Sequence, residues 1–165
     1  MRYLILLLTM LVTCARADDA KPFSPADYPP GVEKAVRYAN AECDSQEGGE
    51  VTFAPNTVRK IDLTGDGRED YIVDFQDTKC GDRETTYCGT GGCVVKILVA
   101  LPDGGVREVF EGHVLRYKIM APTVKRGAAR IVRFDLHGSF CGGFGAQACQ
   151  KTKAITATPF AFKQP

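Results

Sequence analysis

The sequence lacks tryptophan and lacks an excess of charge of either sign. Its 21 basic and 20 acidic residues give a formal net charge of +1. A chain so close to neutral does not present the basic surface that nucleic-acid-binding or anionic-lipid-binding proteins use. The 165 residues, 44% of them hydrophobic, suit one globular domain with a packed core and leave no room for a second core of similar size.

Histidine is scarce, and the catalytic motifs that use it are missing. Only His113 and His137 are present, and the chain contains neither a Gly-x-Ser-x-Gly nucleophile elbow nor a His-Glu-x-x-His zinc motif. Ser139 follows His137 closely, but we expect residues this close on an extended chain to point in diverging directions. The sequence therefore favours a binding module over an enzyme.

The chain has one long hydrophobic run, and it lies at the N-terminus. Residues 1–3 form a short segment with a basic residue, Arg2, residues 4–12 are almost wholly apolar, and residues 15–17 put alanine at the two positions that a signal peptidase reads. The run has about ten residues, whereas a transmembrane helix needs about 20. The pattern predicts a secretory signal peptide, residues 1–17, that is cleaved after Ala17. Its removal would leave 19 basic against 20 acidic residues, a net charge of −1.

A second interpretation of this segment is a lipoprotein signal. Leu11-Val12-Thr13-Cys14 resembles a bacterial lipobox, in which the cysteine is lipidated, although Thr13 stands where Gly, Ala or Ser is usual. The expected location is the periplasm or the space outside the cell, with an outer-membrane lipoprotein as the alternative.

Six of the seven cysteines follow the predicted signal peptide, and an even number in an exported chain indicates disulfides. Fifteen pairings are possible. Two short glycine-rich loops, residues 88–93 and 141–149, begin and end with cysteine, so local bridges are expected there, and Cys43 and Cys80 would then form the third. A zinc site is the alternative, but no Cys-x2-Cys knuckle is present. The six cysteines are Cys43, Cys80, Cys88, Cys93, Cys141 and Cys149.

The remaining pattern predicts an α+β fold, mainly β, in a single domain over residues 31–165. A proline-rich segment, residues 18–30, is expected to be extended. Residues 31–42 carry one apolar stripe at helical spacing. An antiparallel meander of about six short strands follows, stapled by disulfides, with 94–101 as its central strand and 153–162 at an edge. The other predicted strands are 58–62, 71–75, 106–110, 113–120 and 129–137.

An acidic loop between the predicted strands 58–62 and 71–75 is the most specific motif. Oxygen-bearing side chains recur at alternate positions up to Gly67, and the loop resembles the calcium loops of EF-hand, dockerin and FG-GAP repeat proteins. That resemblance implies calcium as a cofactor. The implied ligands are Asp62, Thr64, Asp66, the backbone carbonyl of Arg68, and Asp70.

Two features of this loop depart from the calcium pattern. Thr64 stands where Asp or Asn is usual, and Val73 stands where an EF-hand has Glu. The alternative is a metal-free turn in which Asp62 and Asp66 accept hydrogen bonds from backbone N–H groups. Both interpretations stay open at this point.

The chain as a whole resembles small cysteine-rich exported proteins of Gram-negative bacteria. The acidic strand–turn–strand, Cys-Gly-x-Gly-Gly-Cys at 88–93 and Leu-His-Gly-Ser-x-Cys at 136–141 carry the resemblance. It implies export but no activity. We expect a binding or interaction domain, which could be a secreted effector or an inhibitor, with a protein or a cell-envelope component as its partner. The alternative is a small cell-envelope hydrolase.

Overall fold

The computed structural model describes residues 23–46, 49–83, 86–120, 127–145 and 147–165. The predicted signal peptide and residues 18–22 lie outside these ranges. No helix within them is both long enough and apolar enough to cross a membrane. The described chain forms one α-helix, α1 (Pro30–Ser45), and short 3-10 turns at Pro25–Asp27 and Gly138–Cys141. Its strands are β1 (Val51–Thr52), β2 (Val58–Ile61), β3 (Asp70–Asp74), β4 (Lys79–Cys80), β5 (Cys88–Gly89), β6 (Gly92–Ala100), β7 (Val106–Val114), β8 (Arg116–Ile119), β9 (Ile131–Leu136) and β10 (Cys149–Ala154).

Two antiparallel sheets contain most of these strands. The larger sheet has the order β2-β3-β6-β7, and β5 pairs with the start of β6. The smaller sheet has the order β10-β9-β8. A separate two-stranded ladder joins β1 to β4. Strand β6 is central because it pairs with β3 on one side and with β7 on the other.

The larger sheet is buried on both faces, which produces three layers. Helix α1 packs its apolar stripe, including Val32 and Val36, onto one face. The smaller sheet packs Val132, Phe134 and Leu136 onto the other face. Alternate residues of a strand point to opposite faces, so a strand covered on both sides must be apolar throughout. This explains the almost unbroken hydrophobic run of β6.

Lys96 is the one charged residue in that run. Only 5% of it is exposed. Its Nζ lies 2.9 Å from a carboxylate oxygen of Glu111 and 3.5 Å from one of Glu108, and 4.4 Å from the ring centroid of Tyr38. These contacts offset the cost of taking the ammonium group out of water.

The predicted fold class is confirmed: the protein is α+β and mainly β, with one helix and three disulfides. The bridges are Cys43–Cys80, Cys88–Cys93 and Cys141–Cys149, as the spacing predicted. The described chain has ten strands instead of about six, because several of them contain only two residues.

The prediction of a last strand over residues 153–162 is wrong. The observed strand β10 is Cys149–Ala154, and residues 155–165 form no strand. Phe160 and Phe162 in this segment instead pack against Phe110 and Phe134, with ring centroids 5.0–6.1 Å apart. This segment closes the core between the sheets through side chains rather than through a ladder of backbone hydrogen bonds.

Candidate functional site

The loop closed by Cys88–Cys93 is a tight hairpin at the start of β6. Cys88 lies opposite Cys93, and Gly89 lies opposite Gly92. Gly92 has a φ of 98°, in the region that favours glycine, and a Cβ there would collide with the backbone of Val114. The glycine therefore lets the hairpin lie directly against the end of β7.

The loop closed by Cys141–Cys149 connects the 3-10 turn to β10 and folds back onto Gly138. The Gly143 N–H donates to the Gly138 carbonyl at 3.0 Å, and the Gln147 N–H donates to the Phe144 carbonyl at 3.0 Å. Gly138 is buried, and a Cβ on it would collide with the carbonyl oxygens of Phe144 and Gln147. A disulfide and backbone hydrogen bonds thus hold the described residues of this loop.

Phe144 lies in this loop with 88% of its surface exposed. The other large hydrophobic residues that are exposed in the described chain, Met120 and Ile131, are only 37% and 41% exposed. Gly143 and Gly145 flank Phe144 and carry no side chains that could cover its ring. Phe144 is thus the large hydrophobic side chain that is most exposed among the residues that the structure describes.

The Cys88–Cys93 loop and the 3-10 turn before the Cys141–Cys149 loop line one open cleft of about 400 Å³, and Gly145 of the second loop lies against the His137 ring at this cleft. We call this cleft, together with Phe144, the loop face. Both histidines of the chain lie at the cleft although they are 24 residues apart in sequence. Its lining residues are Gly89, Thr90, Gly91, His113, His137, Ser139, Phe140 and Gln164.

His137 and Ser139 contact each other, which corrects the expectation that their side chains diverge. Nδ1 of His137 lies 2.8 Å from Oγ of Ser139. The chain is not extended here, because His137 caps the 3-10 turn that contains Ser139. Nε2 of Gln164 donates to the same hydroxyl at 3.1 Å. The backbone N–H of Ser139 also donates to Nδ1 at 3.4 Å, which favours Nδ1 as an acceptor and the imidazole proton on Nε2.

This pair lacks the third group that a hydrolase triad uses. A catalytic histidine is oriented by a carboxylate or similar group on its other ring nitrogen. No carboxylate lines the cleft in the part of the chain that the structure describes. The hydrogen bonds of Ser139 hold the 3-10 turn to the C-terminal segment, which is a structural role.

The chain matches no protein-family model, no curated protein and no solved structure at a significant level. The resemblance to small exported cysteine-rich proteins therefore stays a prediction.

The acidic loop has the geometry of a capped turn. Oδ1 of Asp62 accepts from the Gly65 N–H at 2.6 Å and Oδ2 accepts from the Gly67 N–H at 3.0 Å. Asp66 accepts from the backbone N–H of Arg68 at 2.9 Å and also pairs with its guanidinium. The hydrogen bond from the backbone N–H of Arg68 is the main cause that lowers the pKa of Asp66 below its ordinary value.

Asp70, the last of the predicted side-chain ligands, is fully buried at the start of β3. Its Oδ2 accepts from the N–H groups of Leu63 and Thr64, and its Oδ1 accepts from the N–H of Ala100, all at 2.8 Å. The carboxylate thus joins the acidic loop to the end of β6. No three acidic, histidine or cysteine side chains of the described residues lie close enough together to hold a metal ion. Calcium binding stays a prediction.

Phe144 is the residue that the sequence interpretation missed. The signal was present in Cys-Gly-Gly-Phe-Gly, where an aromatic side chain lies between glycines inside a loop bounded by cysteines. Such a side chain has no neighbours in sequence to pack against, and the disulfide keeps the loop from folding into the core.

Proposed function

We propose that this protein is an exported protein-binding module that contacts its partner through the loop face. The exposure of Phe144 is the observation that carries the proposal. Aromatic residues dominate the binding energy of protein interfaces because a large ring buries much area at little cost in conformational entropy. A ring held on a disulfide-closed loop has even less entropy to lose when a partner binds.

The composition of the loop face fits a protein partner. The segments 88–93 and 141–149 contain no Asp, Glu, Lys or Arg. A face without charge has no long-range attraction for phosphate groups, which supports a protein over a nucleic acid or an anionic membrane. The glycines leave backbone groups accessible, and the histidines add adaptable polar contacts. We expect the partner to offer an apolar pocket for Phe144 with a polar rim.

The setting of this interaction is outside the cytoplasm. Three disulfides are typical of proteins in an oxidising compartment, since cytosolic thiols are kept reduced. The proposal places the module in the periplasm or beyond the cell, where an effector or an inhibitor of other proteins would act. A small cell-envelope hydrolase is the second candidate, supported only by the contact between His137 and Ser139.

The test is a pull-down experiment. Three immobilised forms of the mature protein are incubated with envelope and host extracts, and the proteins that each form retains are compared. The forms are the wild type, Phe144→Ala and the control Ile131→Ala. Ile131 is an exposed apolar residue at the start of β9, at the opposite end of that strand from His137, so its truncation removes exposed apolar surface without touching the site. Proteins retained by wild type and control but lost from Phe144→Ala are then purified and titrated against all three forms.

We expect Phe144→Ala to weaken binding of the purified partner about 30-fold, as for an interface hot spot. Ile131→Ala should bind within about twofold of wild type. Equal affinity of Phe144→Ala and wild type would contradict the proposal. Hydrolysis of envelope polymers that disappears in Ser139→Ala would support the hydrolase instead.

A further inference from the structure

The charge of the chain is distributed unevenly, although its total is close to zero. Residues 18–114 contain ten basic and nineteen acidic residues, a net charge of −9. Residues 115–165 contain nine basic residues and a single acidic one, Asp135, a net charge of +8. All three strands of the smaller sheet belong to this second part of the chain. The near-neutral total therefore does not describe the surface of the smaller sheet.

One face of the smaller sheet points away from the core. Alternate residues of β9 pack on the larger sheet, which leaves Ile131, Arg133 and Asp135 on the opposite face. Residues directly opposite each other on antiparallel strands share a face. We call the surface formed by these three residues and by the residues opposite them on β8 and β10 the outer face.

The outer face carries more positive than negative charge. One row of the register joins Arg116 to Asp135, and the next joins Lys118 to Arg133, while β10 adds uncharged polar residues to both rows. Nε of Arg133 lies 3.5 Å from Oδ1 of Asp135. Arg116 and Lys118 are exposed and have no ion pair within 4.0 Å to a carboxylate of the residues that the structure describes. Two cations of this face are therefore available to an external anion.

An apolar row completes the outer face where β8 ends and β9 begins. Met120 and Ile131 are 37% and 41% exposed, and the Met120 N–H donates to the Ile131 carbonyl at 2.8 Å, so the two residues lie side by side. Ala154 of β10 is exposed and lies opposite Ile131. Within the described chain, Phe144 is the only other large hydrophobic residue that is exposed. Adjacent exposed apolar side chains are typical of a protein or membrane contact.

We propose that the outer face binds the surface of an anionic lipid bilayer. Met120 and Ile131 would enter the boundary between headgroups and acyl chains, as the apolar residues of interfacial proteins do. The nearest row of cations, with Lys118 and Arg133, lies about 7 Å further along the strands. At that distance the long basic side chains can contact lipid phosphates while the apolar row is inserted.

The apolar row favours a bilayer over a nucleic acid. A nucleic acid attracts the same cations through its phosphates, but its backbone offers no apolar layer to Met120 and Ile131. A bilayer offers both a charged surface and an apolar interior within a few ångströms. The acidic part of the chain, residues 18–114, would be repelled by the same surface, so the molecule would approach it with the smaller sheet first.

Binding at the outer face leaves the loop face accessible. Ile131 begins β9, whereas His137 of the loop-face cleft directly follows its end. A bilayer in contact with the apolar row would therefore lie at the opposite end of β9 from that cleft. The inference does not depend on the proposed protein partner, and each can fail without the other.

The test is co-sedimentation of the mature protein with lipid vesicles. One set contains about 30% phosphatidylglycerol in phosphatidylcholine and the other contains phosphatidylcholine alone. We expect at least tenfold tighter binding to the anionic vesicles, because several basic residues face the surface at once. A rise in sodium chloride from about 0.1 M to 0.5 M should weaken binding, since salt screens exposed charges. Soluble glycerol phosphate should not compete, because it has no apolar layer.

Matched variants separate the role of the outer face from that of net charge. Lys118→Gln should weaken vesicle binding about fivefold, the effect of one basic residue at an anionic surface. Lys34→Gln removes the same charge from an exposed position of α1, which covers the other side of the larger sheet, and should stay within about twofold of wild type. Truncation of both Met120 and Ile131 to alanine should weaken binding about tenfold. Phe144→Ala should bind vesicles like wild type.

The absence of tryptophan provides a second readout. Ile131→Trp places the only indole of the chain in the apolar row, and Phe144→Trp places it at the loop face. With anionic vesicles, the emission of Ile131→Trp should shift to shorter wavelength and be quenched by brominated lipid. The emission of Phe144→Trp should show neither effect.

Several results would overturn the proposal. These are equal binding to both kinds of vesicle, equal losses in Lys118→Gln and Lys34→Gln, or an unshifted emission of Ile131→Trp. Tighter binding to single-stranded DNA or to poly-L-glutamate, unaffected by truncation of Met120 and Ile131, would assign the outer face to a nucleic acid or to an acidic protein instead. Circular dichroism of each variant ensures that a loss of binding is not a loss of fold.

Discussion

At the scale of single residues, Asp70 shows most clearly how the fold uses a charge. Its carboxylate is fully buried and accepts three backbone hydrogen bonds from two different parts of the chain. Asp70→Ala would leave three N–H groups without partners, and hydrogen bonds to a charged group contribute about 1.5–3 kcal/mol each. We expect unfolding in urea to show a loss of about 3 kcal/mol or more. Asp66→Ala, at an exposed position, should lose much less, and equal losses would contradict this role of Asp70.

The predicted calcium site makes a separate prediction at the same loop. If Asp62, Thr64, Asp66 and Asp70 bind calcium, millimolar calcium should raise the melting temperature, because the ion binds only the folded state. The affinity expected for such an extracellular site is weak, about 10⁻⁴–10⁻³ M. The shift should vanish in Asp66→Ala, and magnesium should substitute poorly because it demands a tighter octahedral shell.

Thermal scans with chelator and with calcium, on wild type and variant, provide the measurement. An unchanged melting curve in both proteins would mean that the loop is only a turn. The hydrogen bonds of Asp62 and Asp66 already show that the turn needs no ion to satisfy its backbone.

Spacing alone could predict which residues form the acidic loop but not what Asp70 does there. Asp62 and Asp66 accept from N–H groups within five residues, so their role follows from local sequence. Asp70 accepts from Ala100, which is 30 residues away. That contact exists only because β3 and β6 pair in the sheet, and a local pattern cannot contain it.

At the scale of secondary-structure elements, the buried strands are the ones that the sequence predicted best. The apolar run 94–101 was expected to be the central strand, and β6 is central in the larger sheet. Similarly, the alternation in 129–137 predicted the buried face of β9. The strands of two residues, β1, β4 and β5, were not predicted, because so short a segment has no periodicity. They exist because disulfides and neighbouring strands hold them in place.

The disulfides should differ in what they contribute to stability. Cys43–Cys80 closes a loop with a sequence separation of 37 and ties the end of α1 to β4, whereas Cys88–Cys93 has a separation of 5. The chain-entropy model gives about 4 kcal/mol for the long loop and about 2 kcal/mol for the short one. Paired alanine substitutions of each bridge, compared by urea unfolding, should preserve that order. Equal losses would show that the contributions do not arise from restriction of the unfolded chain.

At the scale of the whole molecule, the packing of the two sheets positions the loop face. Its cleft is lined by the Cys88–Cys93 loop, by His113 near the end of β7 and by His137 directly after β9. The Cys88–Cys93 loop and β7 belong to the larger sheet, whereas β9 belongs to the smaller sheet. The cleft therefore forms only when the two sheets pack against each other, which explains why its two histidines lie far apart in sequence.

Export of the whole molecule is the remaining prediction, and it decides whether the loop face can form. Mature protein purified from periplasm and culture medium should begin at Asp18, because Ala15 and Ala17 are the small residues that a signal peptidase reads. N-terminal mass spectrometry provides the measurement. Ala17→Phe places a bulky side chain at the cleavage site and should leave the precursor uncut, whereas Cys14→Ser should not change the new N-terminus. A lipidated Cys14 would instead establish the lipoprotein alternative, and Met1 in the exported protein would refute both.

Precursor that stays in the cytoplasm should keep its thiols reduced, so non-reduced peptide mapping should find the three bridges only in the exported form.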